Sequence, residues 1–312
     1  MSIRIVAALG GNAILQPGQR GTYEEQRHNV DVTAAQIADL VAAGHQLVLT
    51  HGNGPQVGNL LLQAEAAKET VAPMPLDVLG AMTQGMIGYM LQQSIAGALV
   101  ARGIPRPVVS VVTQVEVDPA DPAFADPTKP VGPFYTAETA RELAARGWDM
   151  REDAGRGWRR VVPSPRPLRI VEQEVVTGLI GGGAVVIAAG GGGVPVRAGE
   201  DGALAGVEAV IDKDRAAAVL ARSVEADLLL ILTDVPNVKL NYGKPNEVTL
   251  RQVSVAQLEA YAQMGHFAAG SMGPKVEASL EFVKATGKRA VIAALNQAAA
   301  AVAGEAGTQV IP

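Results

Sequence analysis

Apolar residues run from Ile3 to Leu9, interrupted only by Arg4, and stop at Gly10-Gly11-Asn12. A run of that length closed by glycines predicts a buried strand over 3–9. The period then changes. Thr22, followed three residues later by Glu25, is a capping box, and the apolar spacing beyond it predicts a helix to about Ala43, stopped by Gly44. By the same reading, strands are expected at 46–50, 108–113, 184–189, 227–232, 289–293 and 308–311. Helices are expected at 55–67, 76–102, 167–180 and 212–222, from Ser254 to about Met264, from Pro274 to about Thr286, and briefly before the last strand. Strands alternating with helices predict an α/β fold: three layers, α/β/α, around a mostly parallel central sheet.

One region breaks the alternation. Residues 118–133, DPADPAFADPTKPVGP, hold five prolines, and RRVVPSPRP follows at 159–167. Structureless loops of this length are uncommon in compact domains, and Trp148 and Trp158 supply material for a small separate core. We expect an inserted, protruding subdomain at about 115–165. It belongs to an N-terminal lobe, 1–196, and a C-terminal lobe spans 197–312.

Composition narrows the function. The chain has 312 residues, 48% of them apolar, enough for two lobes or one large α/β unit. Its 35 glycines are clustered, which marks special turns rather than low complexity. Net charge is −5, aromatics are 4%, and the densest basic cluster is only Arg156, Arg159, Arg160, Arg166 and Arg169; nucleic acid is not an expected partner. With no cysteine, disulfides and thiol chemistry are excluded. Residues 78–101 and 175–196 carry no charge, but glutamines punctuate the first and eight glycines the second, so no membrane span is expected. The apolar start is too short for a secretion signal, and a cytoplasmic location is expected.

Ligands of open α/β sheets bind outside the carboxyl ends of the strands. Four strand ends carry a signal: Gly10-Gly11-Asn12, His51-Gly52-Asn53-Gly54, Gly190 to Gly193, and Thr233-Asp234. Converging on one edge, they would suit an extended anion held by backbone N–H groups. The P-loop pattern is absent, and Gly58 falls one residue too late for a dinucleotide fingerprint. Lys213 and Lys275 both stand at expected helix starts beside glycines, where the helix dipole disfavours a cation unless an anion lies nearby. Asp214 is open between orienting two lysines and serving as an ordinary first-turn acid. Asp234 is open between nucleotide or magnesium contact and a plain turn. Of His28, His45, His51 and His266, none pairs at metal-ligand spacing, and His51 reads as structural rather than as a base. No nucleophile elbow exists.

With these residues collected, the chain resembles the carbamate kinases of the amino-acid-kinase superfamily. The resemblance rests on ALGGNA (8–13), THGNGPQVG (50–58), DPTKPVGPFY (126–135), VVPSPRP (161–167), IDKDRAA (211–217), LTDV (232–235) and GSMGPKVEA (270–278). It implies reversible phosphoryl transfer between ATP and carbamate, giving ADP and carbamoyl phosphate, often run toward ATP in arginine- or purine-derived catabolism. It implies that Gly10, Gly11, Asn12, Gly52, Asn53 and Gly54 hold the carbamate and phosphoryl group in the first lobe. Lys213 and Lys275 would neutralise phosphate charge, Asp214 would position them, and Lys129 would reach over the carbamate. Asp234, Met272, Gly273 and Lys275 would meet the nucleotide, with Mg2+ carried by it and no separate metal site. Many superfamily relatives place a lysine before the first glycine pair; here Ala7-Ala8-Leu9 stands there, a trait carbamate kinases share, with Lys213 taking over. The family also implies a homodimer, for which helix 76–102, with Gly80, Ala81, Gly85, Gly88 and Gly97, is the expected surface. Rival readings are a kinase for another carboxylate or phosphate, a non-catalytic sensor and, least fitting, a dinucleotide oxidoreductase.

Overall fold

A computed structural model describes residues 2–312 other than 154, 156 and 269; Arg156 of the basic cluster lies outside the described residues. The central sheet has eight strands: β1 (Arg4–Leu9), β2 (Gln46–His51), β3 (Val108–Ser110), β9 (Val185–Ile187), β12 (Leu228–Thr233), β15 (Gln252–Ser254), β16 (Ala290–Ala294) and β17 (Thr308–Ile311). Its order is β15-β17-β16-β12-β1-β2-β9-β3. Every neighbouring pair is parallel except β16 with β17. Side chains alternate across each strand. Ile5, Ala7 and Leu9 join one core with α1 (Tyr23–Ala42), α3 (Leu76–Ala101) and α9 (Ala298–Ala303). Val6 and Ala8 join the opposite core with α5 (Gln173–Gly181), α6 (Lys213–Ser223), α7 (Val255–Gln263) and α8 (Met272–Thr286). The expected three-layer α/β/α fold with a mostly parallel sheet is therefore present. Continuous apolar strands are what two covered faces demand.

The capping box forms as read: Glu25 N donates to Thr22 Oγ1 and Thr22 N to Glu25 Oε2. Other expectations need correction. The helix at 167–180 is two elements, β8 (Pro167–Ile170) and then α5. Proline locks φ and removes a donor, and β8 pairs antiparallel with β4 (Gln114–Val117) in a second sheet with β10 (Val194–Ala198) and β11 (Leu204–Gly206). The strand at 108–113 stops at Ser110, the helix opened by Pro274 starts at Met272, and Asp212 caps its helix rather than lying in it. The hairpin β13 (Lys239–Leu240) with β14 (Val248–Thr249) has no counterpart in the reading. The β1–β12 pairing joins the two expected lobes in one continuous sheet.

The proline-rich region forms a three-stranded sheet, β5 (Lys129–Tyr135), β7 (Trp158–Val162) and β6 (Met150–Glu152), with α4 (Ala137–Ala145). It seats on α2 (Gly54–Ala67) through a backbone contact: a Cβ at Gly58 would lie 2.4 Å from the Cα of Gly132. Among the described residues, no helix is long and apolar enough to cross a membrane.

Candidate active site

Strands β12, β1, β2 and β9 are consecutive and parallel, so their carboxyl ends open on one edge. Gly10 N donates to Leu232 O at 2.8 Å and Gly52 N to Leu9 O at 3.2 Å, which ties the turns after β1 and β2 to each other and to β12. Beyond Gly10 the chain makes a single 3-10 turn, Gly11–Ala13. The N–H groups of Gly11 and Asn12 donate to no protein acceptor among the described residues: the first amides of such a turn have no acceptor within it, and no side chain caps them.

The glycine run does a different job from the anion cradle expected of it. Gly190 to Gly193 are buried and line neither cavity at this edge. A Cβ at Gly190 would sit 2.4 Å from His51 Nε2, and one at Gly191 would sit 2.2 Å from Asn53 Nδ2. Elements cross too closely there for any side chain.

His51 is consequently boxed in. Its Nδ1 donates to the Gly52 carbonyl at 3.0 Å, since a carbonyl can only accept. Burial drives its pKa down to about 4, the Gly52 bond opposing and the Lys213 charge adding to the shift. The folded pKa lies below the ordinary 6.5, so on acidification the unfolded chain takes the proton first. The share of stability that His51 contributes is thus complete above about pH 6.5, falls toward about pH 4 by roughly 3 kcal/mol, and levels below that. Urea unfolding across this window should show that slope in the wild type and lose it in His51→Gln; an unchanged slope would contradict the assignment.

Two cavities lie along the edge and share Gly270. The first, about 560 Å³, is lined by the Gly10-Gly11-Asn12 turn, Lys213, Asp234 and Lys275. The second, about 640 Å³, is lined by Gly54, Lys129, Arg159, Asp212 and Arg215. Lys213, the first residue of α6, lies over Gly52, whose Cβ would be 3.6 Å from both Lys213 Cδ and Gly11 N. Its Nζ donates to Asp214 Oδ1, and Lys275 Nζ, from the first turn of α8, donates to Asp214 Oδ2 at 3.2 Å. All three side chains are nearly buried, with Asp214 4% exposed. One carboxylate thus holds the ammonium group of its chain neighbour Lys213 and that of Lys275, 61 residues further on, side by side at the mouth of the glycine turns. Burial pushes the Lys213 pKa below its ordinary range; Asp214 opposes the shift and Lys275 adds to it.

Other sequence-chosen residues sit differently. Asn53 turns its amide inward, donating to Thr83 Oγ1 at 2.8 Å. Asp234 is exposed on the first cavity's wall and accepts from Thr233 Oγ1. Met272 packs on the core and Gly273 abuts the Ala268 carbonyl; neither lines the first cavity, whereas Gly270 and Ser271 just before them do. Lys129 donates to Asp212 Oδ2 at 2.6 Å. Asp212, Arg159 and Arg215 had no assigned role; only Asp212 carried a local signal, an Asp before a helix. Among the described residues no three His, Cys, Asp or Glu side chains gather as a metal site.

Comparison with known proteins adds the lineage. The amino acid kinase family model matches residues 4–294. A carbamate kinase of Pyrococcus horikoshii is 56% identical over 315 residues, covering 100% of both chains. The chain belongs to the amino acid kinase family, in its carbamate kinase branch. Another carbamate kinase, from Trichomonas vaginalis, is 52% identical over 99% of this chain and 100% of its own. A carbamate kinase structure from Giardia lamblia bound to AMP-PNP superposes with a TM-score of 0.93 and 50% identity, covering 99% of this chain and 98% of that one. Like other members of the family, this chain is a phosphotransferase.

Proposed function

We propose that the protein transfers a phosphoryl group reversibly between ATP and carbamate, and that it serves mainly to make ATP from carbamoyl phosphate in arginine- or purine-derived catabolism, in the cytoplasm. The observation that carries this reading is the Lys213–Asp214–Lys275 group set against the Gly10-Gly11 and Gly52 turns. Its close relatives bear the carbamate kinase name, and one of them binds an ATP analogue.

In the ATP-consuming direction a carbamate oxygen attacks the γ-phosphorus and the bond to the bridging oxygen breaks, leaving that electron pair on ADP. Carbamate is already an anion, so no base is needed, and His51 is not placed to be one. Such a step needs alignment and charge neutralisation above all. The main-chain amides of Gly11 and Asn12 hold the phosphoryl oxygens, with Gly10, Gly52, Asn53 and Gly54 shaping the acceptor side. Lys213 and Lys275 balance the charge that spreads over the transferred group, and Asp214 fixes their positions. Lys129 covers the carbamate from the protruding sheet. Asp234, Gly270, Ser271 and Lys275 take the nucleotide, with Met272 and Gly273 setting the backbone between them, and magnesium arrives as part of the substrate. Residues 1–196 thus form the carbamate side and 197–312 the nucleotide side.

The test is luminescent detection of ATP from ADP, magnesium and carbamoyl phosphate, with acetyl phosphate and N-acetylglutamyl phosphate as rival donors. We expect carbamoyl phosphate to be preferred by about two orders of magnitude, the scale of a few lost site contacts. Equal use of acetyl phosphate would sink the assignment.

A homodimer completes the proposal. Helix α3 turns Val78, Met82, Met86 and Tyr89 outward at helical spacing, between 37% and 59% exposed. Gly88 is not part of this face, since it packs against Ser110 of its own chain. Sedimentation at micromolar concentration should give twice the chain mass, and Met86→Glu should shift it toward monomer.

A further inference from the structure

Asp212 divides its two carboxylate oxygens between distant parts of the chain. Oδ1 caps α6, accepting from Asp214 N at 2.9 Å and Arg215 N at 3.4 Å. Oδ2 accepts from Lys129 Nζ, 83 residues away on β5. The Asp212 side chain is 12% exposed and that of Lys129 32%, so the carboxylate end of the pair is largely shielded from solvent. Burial pushes the Asp212 carboxyl up, but the Lys129 ammonium, the Lys213 charge and the hydrogen bond from Asp214 N together outweigh this and hold it well below the usual carboxylate range. The carboxylate is therefore charged whenever Lys129 needs it. An ammonium has three donors; with one directed at Asp212, the others remain for the second cavity, which Lys129 and Asp212 both line. Three residues further along β5, Gly132 rests on Gly58 with backbone against backbone. The protruding sheet is thus seated by shape at Gly132, by the buried packing of Val131 and Val162 on Val57, Leu76 and Leu79, and by charge at Lys129.

We propose that Asp212 is a positioning residue that registers Lys129 of the protruding sheet against the helix turn presenting Lys213 and Asp214, so that one side chain sets where Lys129 stands relative to the two ammonium groups held by Asp214. This rests on the reading of Lys129 as the group that covers the acceptor. The alternative is a plain latch that occupies Lys129 and must open before substrate binds.

Asp212→Asn separates these, because Asn caps helices as well as Asp does but gives Lys129 no charged partner. In the ATP-forming assay on the full chain, we expect kcat to fall about 10- to 100-fold, as for other residues that orient a site group. The thermal midpoint should stay within a few degrees. Added to Lys129→Ala, Asp212→Asn should cost no more than about twofold further, because coupled residues do not act additively. Independently of activity, amide exchange over Lys129–Tyr135 should rise in Asp212→Asn while that of α6 is unchanged. Wild-type or higher activity in Asp212→Asn, with Lys129→Ala impaired, would overturn the proposal and leave the function intact. Multiplying effects in the double variant would also overturn it. A wild-type chain that makes no ATP would defeat the function, and the exchange result would still decide whether Asp212 seats the sheet. An active Lys129→Ala would defeat the role of Lys129 and with it the proposal, while the function would stand.

Discussion

Lys213→Ala should cut ATP formation from carbamoyl phosphate by about 10²- to 10³-fold, the usual cost of removing one preorganised charge stabiliser. Lys213 packs directly over the Gly52 turn, and the first strand offers only Ala7-Ala8-Leu9 beside the glycine pair, with no lysine to take its place. Most of the loss should fall on kcat, because the charge that Lys213 meets grows in the transition state. The fold should survive, since Asp214 keeps Lys275 as a partner and leaves no lone buried charge. A turnover within about twofold of wild type, well under 1 kcal/mol of barrier, would refute the role.

Asp214→Asn should harm both stability and activity. Removing this carboxylate leaves the Lys213 and Lys275 ammonium groups, 13% and 15% exposed, facing each other without an anion. Breaking a buried pair in this way costs about 3–5 kcal/mol, to be read from urea unfolding at neutral pH. Activity should fall at least as far as in Lys213→Ala, because both lysines lose their anchor. The Lys213 pKa, already lowered by burial, loses the attraction that opposes the shift. The alkaline limb of the residual activity should then move to lower pH. Adding Lys213→Met should return part of the lost stability, since it removes one of the two repelling charges. Full stability in Asp214→Asn alone would mean that the three side chains are not coupled as described.

The layered fold was legible because its signals are local. A β-strand covered on both faces must be apolar along its covered length, and 5–9, 47–49 and 228–232 are, so period and length sufficed. Failures cluster where pairing partners are remote. Pro167–Ile170 has no strand pattern of its own and is held extended by β4, some 50 residues earlier. Asp212 reads as the opening of a helix, and nothing near it in the chain announces Lys129.

By itself, the order of residues determined which segments become strands, where glycine breaks them, and that no cysteine or P-loop chemistry is available. Those properties depend on neighbours a few positions apart. Only the tertiary structure decided which charges meet: that Asp214 is shared by Lys213 and Lys275, that Asp212 holds Lys129, and that the Gly190–Gly193 run is filler at a crossing rather than a cradle. Ion pairing and close packing act over ångströms in space between groups tens of residues apart, so their partners are set by how the sheet brings its edges together.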